Sequence, residues 1–487
     1  MARSSSGAFS RPLVRQLDVS PAVLRRLAAR FPERYPVLFD SAAEGPLSQA
    51  SVLVAEPRAA LWLDADGHLG AEGVVPRGTT FLSALENWWL SERELVPPSA
   101  SESTASEAQA SEALAFAGGW ALFLGYEIAR EVEPRLSLPR ATFPWQAFAL
   151  RTPCALVHER GRGRVVAVAE AQASEALERI EADAHLAARQ AEPREDRVGV
   201  ESISEEPAEA YLERVRRGKE YVRSGDIYQT NLSRPWRVEL ARAPDVAALY
   251  NRLCAANPAP FAALAQWRGI TILSSSPERL VRVAGRRIDT RPIAGTRPRS
   301  RRPGEDLAEM SALAAHPKER AEHIMLIDLE RNDLGRVCEP GTVRVDELMT
   351  IESYAHVHHI VSNVSGRLRA DVTPVGAVRA VFPGGTITGC PKFRCMQIIA
   401  ELEGAGRGAY TGSLGFLTRD GTMDLNILIR TMTLAGRRVE FRAGAGIVAD
   451  SDPQRELEET RAKAKGLLAA FEPALPELTE SATGATI

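Results

Sequence analysis

The chain has 487 residues, of which 45% are hydrophobic and 25% charged, with a formal net charge of -3. This is the make-up of a folded globular protein with room for two or three domains and a large core. The near-neutral balance leaves no footprint for nucleic acid or an anionic membrane, and no long uninterrupted apolar run marks a spanning helix. The five cysteines (Cys154, Cys254, Cys338, Cys390, Cys395) form no CxxC pairs, and residues 1–12 lack the apolar segment of a secretory signal. That pattern argues against a disulfide scaffold or structural zinc and fits a reducing cytoplasm.

In chain order, residues 36–40 and 51–55 read as strands, and the glycine-rich GGWALFLGYE follows at 118–127. Between them, PSASESTASEAQASE at 98–112 reads as a solvated loop. A second polar stretch at 191–207 reads as a boundary between an N-terminal region, 1–200, and a C-terminal region, 201–472. Beyond it, residues 208–223 follow a helical period, while 228–240 and 270–275 read as strands. Residues 473–487 read as a frayed tail. No strand leads into a phosphate-binding glycine loop, so the fold class expected is α+β with antiparallel strands.

Two acidic pairs stand out. Glu319 and Glu322 lie three residues apart on one helix face, and Glu456 and Glu459 repeat the spacing, with Lys463 a further turn along. Two such helices can hold a hard divalent cation, although glutamates at this spacing also decorate solvated helices. FPGGTITGCPKFR at 382–394 passes from loop to helix, where N–H groups near Gly389 can meet an anion. RAGAGIVADS at 442–451 places small residues where a ligand carboxylate can meet backbone donors. Arg430 lies in a strand-like run and needs an anionic partner or an exit to water. His356, His358 and His359 alternate along a strand, a pattern more usual for structural histidines than for a metal site.

Taken together and in order, GDIYQTNLSR, SPERLVR, TRPIAGTRPR, KERAEHIMLIDLERNDLGR, VHHIVSNVSG, FPGGTITGCPK, GSLGFL, ILIRT, AGAGIVADS and ELEETRAKAK resemble the chorismate-utilising enzymes. The resemblance runs from about residue 205 to 471 and is looser through VLFDSA and GGWALFLGYE in the N-terminal half. It implies an α/β sandwich of two large antiparallel sheets packed face to face with helices outside. It also implies Mg2+ held by Glu322 and Glu459, with Glu319 and Glu456 supporting through waters. Glu278 matches a general acid toward a departing hydroxyl, and His359 matches the histidine facing the reacting ring. Thr386 lies beside the ring substituents. Tyr410, Arg430, Gly444 and Gly446 match the binders of the pyruvyl carboxylate, and Lys463 matches a lysine near the metal-bound carboxylate. Ala294, Gly295 and Thr296 of PIAGT join the substrate wall.

Gln229 stands where water-using relatives carry a lysine base, so the resemblance favours ammonia as nucleophile. QTNLS, VHHIVS and FPGGTITG resemble aminodeoxychorismate synthase component I, which makes the 4-amino precursor of 4-aminobenzoate and folate. That reading is the expectation. Ala294 dissents, because many such enzymes have a lysine there, and anthranilate synthase component I is the alternative. The chain carries no glutaminase nucleophile elbow, so the resemblance implies a separate glutaminase subunit. A tryptophan pocket in the N-terminal region is a further feature of the amine-forming relatives.

Overall fold

The computed structural model describes residues 11–43, 45, 47–73, 78–94, 114–190, 198–300, 302–354, 357–472 and 478–480. The expected loop at 98–112 and His356 lie outside the described residues. The expected strands are found at Val37–Asp40, Ala50–Ala55, Gln229–Leu240 and Ile270–Ser276, and the expected helix at Ala208–Arg223, while the glycine-rich segment 118–127 carries a strand of its own, Gly119–Leu124.

Among the described residues, two large sheets of 13 and 11 strands form the frame. In the first, Val37–Asp40 pairs with Phe261–Trp267, so strands from before and after residue 200 are neighbours. In the second, Gly119–Leu124 pairs with Ser413–Thr418 in the same way. Regions 1–200 and 201–472 therefore contribute to both sheets. Among the described residues every ladder is antiparallel except one: Leu478–Glu480 runs parallel to Val200–Glu205. Two sequence readings change here. Part of the expected boundary is a paired strand, and part of the expected frayed tail completes the sheet edge.

The alternation of side chains along each strand decides the layering. Val52 and Val54 face the core between the sheets with Ala121, Phe123 and Leu150, while Leu53 and Ala55 face the helices. Leu122 and Leu124 likewise turn to the helices on the far side of the second sheet. Both faces of these strands are buried, which is why VLVA and WALFL read as continuous apolar runs. The helices outside the sheets are anchored by capping residues. Asp452 accepts from Arg455 N at 3.0 Å at the start of Pro453–Leu468, with proline in the first turn. That helix lies on strand Arg438–Ile447, and helix Pro317–Gly335 lies against Ile293–Pro298 and Val357–Arg367.

The five cysteines are unbridged. Among the described residues no helix is long and apolar enough to cross a membrane.

Candidate active site

The site forms where the ends of both sheets meet three helices. Strand Gln229–Leu240 pairs with Arg438–Ile447, setting Asn231 opposite Gly446 and Ser233 opposite Gly444. These glycines allow close approach. A Cβ on Gly446 would stand 2.5 Å from Gln229 Nε2, and one on Gly444 would stand 2.7 Å from the Tyr410 hydroxyl and 2.8 Å from Asn231 Oδ1. Any larger side chain would fill the space between these polar groups.

Gln229 is buried, and its Nε2 donates to Glu322 Oε1 at 3.1 Å. Its Oε1 is buried with no hydrogen-bond partner among the described residues, so it has acceptor capacity to offer a ligand. Lys463 donates to the Gly444 carbonyl at 2.8 Å and pairs with Glu459 at 2.7 Å. Glu456 and Glu459 lie on the first two turns of their helix, where both charges reach the buried Tyr211. Glu319 approaches the other wall, 3.0 Å from the Cβ position of Gly295, whose φ of +68° suits glycine. Ala294 is buried in the same strand, opposite Ile360, and Thr296 pairs through its backbone with His359.

Glu278 sits in the turn before strand Arg279–Ala284, fully enclosed. Thr386 donates to its Oε1 at 2.7 Å. Burial pushes this carboxyl up to about 8, against the hydrogen bonds from Thr386 and the Ile293 backbone and the charge of Lys463. His359 moves the other way. Burial, and then the Arg430 charge, lower it to about 4, so its imidazole is neutral at pH 7. Arg430 has its own value lowered by burial, with Tyr410 and Glu459 acting in opposition. No ion pair of Arg430 is found among the described residues, which leaves it a half-buried, anion-seeking group.

Two expectations are corrected. Arg430 is not within a strand: it has φ +51° and immediately precedes Thr431–Ala435. Of the N–H groups near Gly389 expected to face an anion, that of Gly389 itself is taken, donating to the Gly385 carbonyl at 3.0 Å while the residue pairs with Thr230.

Some supporting residues escaped the motif reading. Asn231 shares a strand face with Gln229, a period-2 signal present in QTN. Burial raises Glu403, but Arg407 and Arg442 outweigh it and hold the carboxylate at about 2. Glu403 accepts from Ser233 N at 2.8 Å, locking the strand that carries Gln229. Glu330, Asp333 and Lys392 form a buried group behind Thr386, with Glu330 taking a hydrogen bond from the Gly385 backbone. Among the described residues, the compact group of metal-ligating side chains is a different one, Asp64, Asp66 and His68 on an exposed turn. There Asp64 Oδ1 is already used by the backbone of Asp66 and His68.

A family model for chorismate binding enzymes matches residues 59–469. Anthranilate synthase component 1 of Streptomyces coelicolor is 43% identical over 381 residues, 73% of each chain. The anthranilate synthase component I-like protein of Synechocystis sp. is 51% identical over 264 residues, 54% of each, so the chain spans about half the length of that relative. Among solved structures, anthranilate synthase component I from Streptococcus pneumoniae has a TM-score of 0.74 at 31% identity, covering 87% of this chain and 93% of that one. The menaquinone-specific isochorismate synthase of Escherichia coli has a TM-score of 0.69 at 17% identity, covering 95% and 94%, and shares the fold. The relatives favour the anthranilate reading over the 4-amino reading expected from the motifs. By its matched length, its two-sheet fold and its motifs, the chain belongs to the chorismate binding enzyme family.

Proposed function

We propose that this chain is an anthranilate synthase component I, aminating chorismate at C2 with ammonia and releasing pyruvate. The observation that carries the reading is Ala294, buried in the substrate wall where the 4-amino relatives use a lysine nucleophile. A methyl group cannot protect C2, so ammonia is free to attack there. The anthranilate names of the relatives support the same choice.

In this reading Arg430 and Tyr410 bind the pyruvyl carboxylate beside Gly444 and Gly446. Gln229 cannot take a proton from water, but its unpartnered Oε1 can accept a hydrogen bond from ammonia. As the C2–N bond forms, the C4–O bond breaks, and protonated Glu278 delivers the proton that lets hydroxide leave as water. The C2 proton then passes to neutral His359 as the C3–O bond breaks, the departing enolpyruvate takes up a proton to become pyruvate, and the C2 ammonium gives up a proton to solvent, leaving the aromatic amine.

Glu322 and Glu459 would hold Mg2+, with Glu319 and Glu456 supporting through waters. The donor set fits a hard cation, being all oxygen, and a cation there would have to share Glu322 with Gln229 and Glu459 with Lys463, which now bond them. When bound, the metal draws negative charge from the ring carboxylate. A separate glutaminase would supply the ammonia.

The deciding experiment incubates the chain with chorismate, magnesium and ammonium and identifies the product by mass and fluorescence. Anthranilate with an equivalent of pyruvate is expected. 4-Amino-4-deoxychorismate with no pyruvate would overturn the assignment in favour of the reading suggested by QTNLS and FPGGTITG.

A further inference from the structure

Glu330 is a buried carboxyl with no part in the steps above. It lies on helix Pro317–Gly335, eleven residues beyond Glu319, which is three turns along the same face. Its carboxyl takes hydrogen bonds from the Thr290 side chain and the Gly385 backbone, and a Cβ on Gly385 would stand 3.2 Å from Glu330 Oε1. Gly385 precedes Thr386, whose hydroxyl grips Glu278. One turn further along the helix, Asp333 holds Lys392, which also donates to the Val381 carbonyl at 2.9 Å. The segment 381–392 is thus tied to the helix through Lys392 and, at its middle, through Glu330.

We infer that Glu330 is a positioning residue for the Glu278 acid: it holds the Gly384–Gly385 turn against the helix, and through Thr386 fixes where the Glu278 carboxyl points. The inference rests on the role given to Glu278 in the proposed reaction. A leucine would fill the same space without the desolvation penalty of a buried carboxyl, so packing alone does not account for an acid here. The charge has a second consequence. Glu330 faces Glu278, Asp333 and Lys392, while Glu278 faces Glu330 and Lys463. Two carboxyls enclosed together resist double ionisation, so an ionised Glu330 favours the protonated form of Glu278.

The test compares Glu330→Gln, which keeps an acceptor for Gly385 but removes the charge, with Glu330→Leu, which removes both. Chorismate consumption against pH is measured whatever the product. In parallel, glutamate 13C-carboxyl resonances are titrated in the free protein, with Glu278 assigned by its loss in Glu278→Gln. For Glu330→Gln, the alkaline limb and the Glu278 midpoint should both fall by about one pH unit. For Glu330→Leu, kcat should fall about 10-fold with KM within about 3-fold, and Thr386→Val in that background should cost little more. An unmoved Glu278 midpoint in Glu330→Gln overturns the inference, as does full multiplication of the Leu and Val effects. Should Glu330→Leu fail to fold, the titration of Glu330→Gln still decides. A wrong product assignment would appear in the product and leave the titration untouched.

Discussion

The Gln229 carboxamide donates to Glu322 Oε1 at 3.1 Å, joining the wall that would receive ammonia to a carboxylate proposed to hold the metal. The same Glu322 oxygen lies 3.6 Å from the Cβ position of Gly446. Gly446, Gln229 and Glu322, proposed as substrate binder, nucleophile wall and metal carboxylate, therefore share one small volume, so a change in one should be felt by the others.

Glu322→Gln or Glu459→Gln should leave the fold intact and lower magnesium-dependent turnover by at least about 10-fold, since a site with few protein oxygens loses one anionic donor. Turnover against magnesium concentration, with circular dichroism to check folding, measures this. Activity near wild type in both variants would show that the metal is held elsewhere.

Nitrogen supply gives a second expectation. The purified chain should use ammonium, with rates rising as pH increases free NH3, and should leave glutamine untouched until a glutaminase subunit is added. Glutamate release by the chain alone from glutamine would refute the need for that partner.

Ala294→Lys tests the residue on which the product assignment turns. Ala294 is buried beside Gly295 and opposite Ile360, so the new amine would be delivered to the substrate wall. A lysine there competes with ammonia for C2. Anthranilate formation should fall about 10-fold or more, and 4-amino product should rise. Chromatography of both amines checks it, and an unchanged ratio at an unchanged rate would remove Ala294 from the argument.

Glu278 also makes a prediction about stability. Its folded value, about 8, lies above the ordinary carboxylate range. Between those values the folded chain keeps a proton that the unfolded chain has released, so stability falls as pH rises through that window. Glu278→Gln removes this dependence. The variant should be inactive, yet more stable than wild type at pH 8, with the difference vanishing near pH 4. Urea denaturation at both pH values reads the sign, and a destabilised variant at pH 8 would show that the carboxyl is stabilised as an anion.

The sequence by itself determined much of this protein. Helix 208–223 and the strands near 37, 52, 229 and 270 were legible because period and turn chemistry are local properties. The resemblance to chorismate-utilising enzymes pointed to Glu278, His359 and Thr386, while spacing and strand context by themselves singled out only the paired glutamates and Arg430 as candidates. The distinction between 2-amino and 4-amino product was not legible in the same way. QTNLS and PIAGT pulled in opposite directions, and relatives over longer stretches shifted the balance.

Only the tertiary structure decided the rest. The four-residue spacing of Glu403 and Arg407 is local, but no spacing reveals that Arg442 and Ser233, on paired strands, both meet the Glu403 carboxylate at the end of a helix. Nor can it reveal that residues 478–480 return to pair beside Val200–Glu205, since a three-residue strand carries too little pattern of its own. Glu278 and Glu330 look alike in the chain, as two glutamates in charged motifs. Their proton affinities are raised because long-range packing excludes water from both, and desolvation is a property of the folded surroundings that no local run of residues contains.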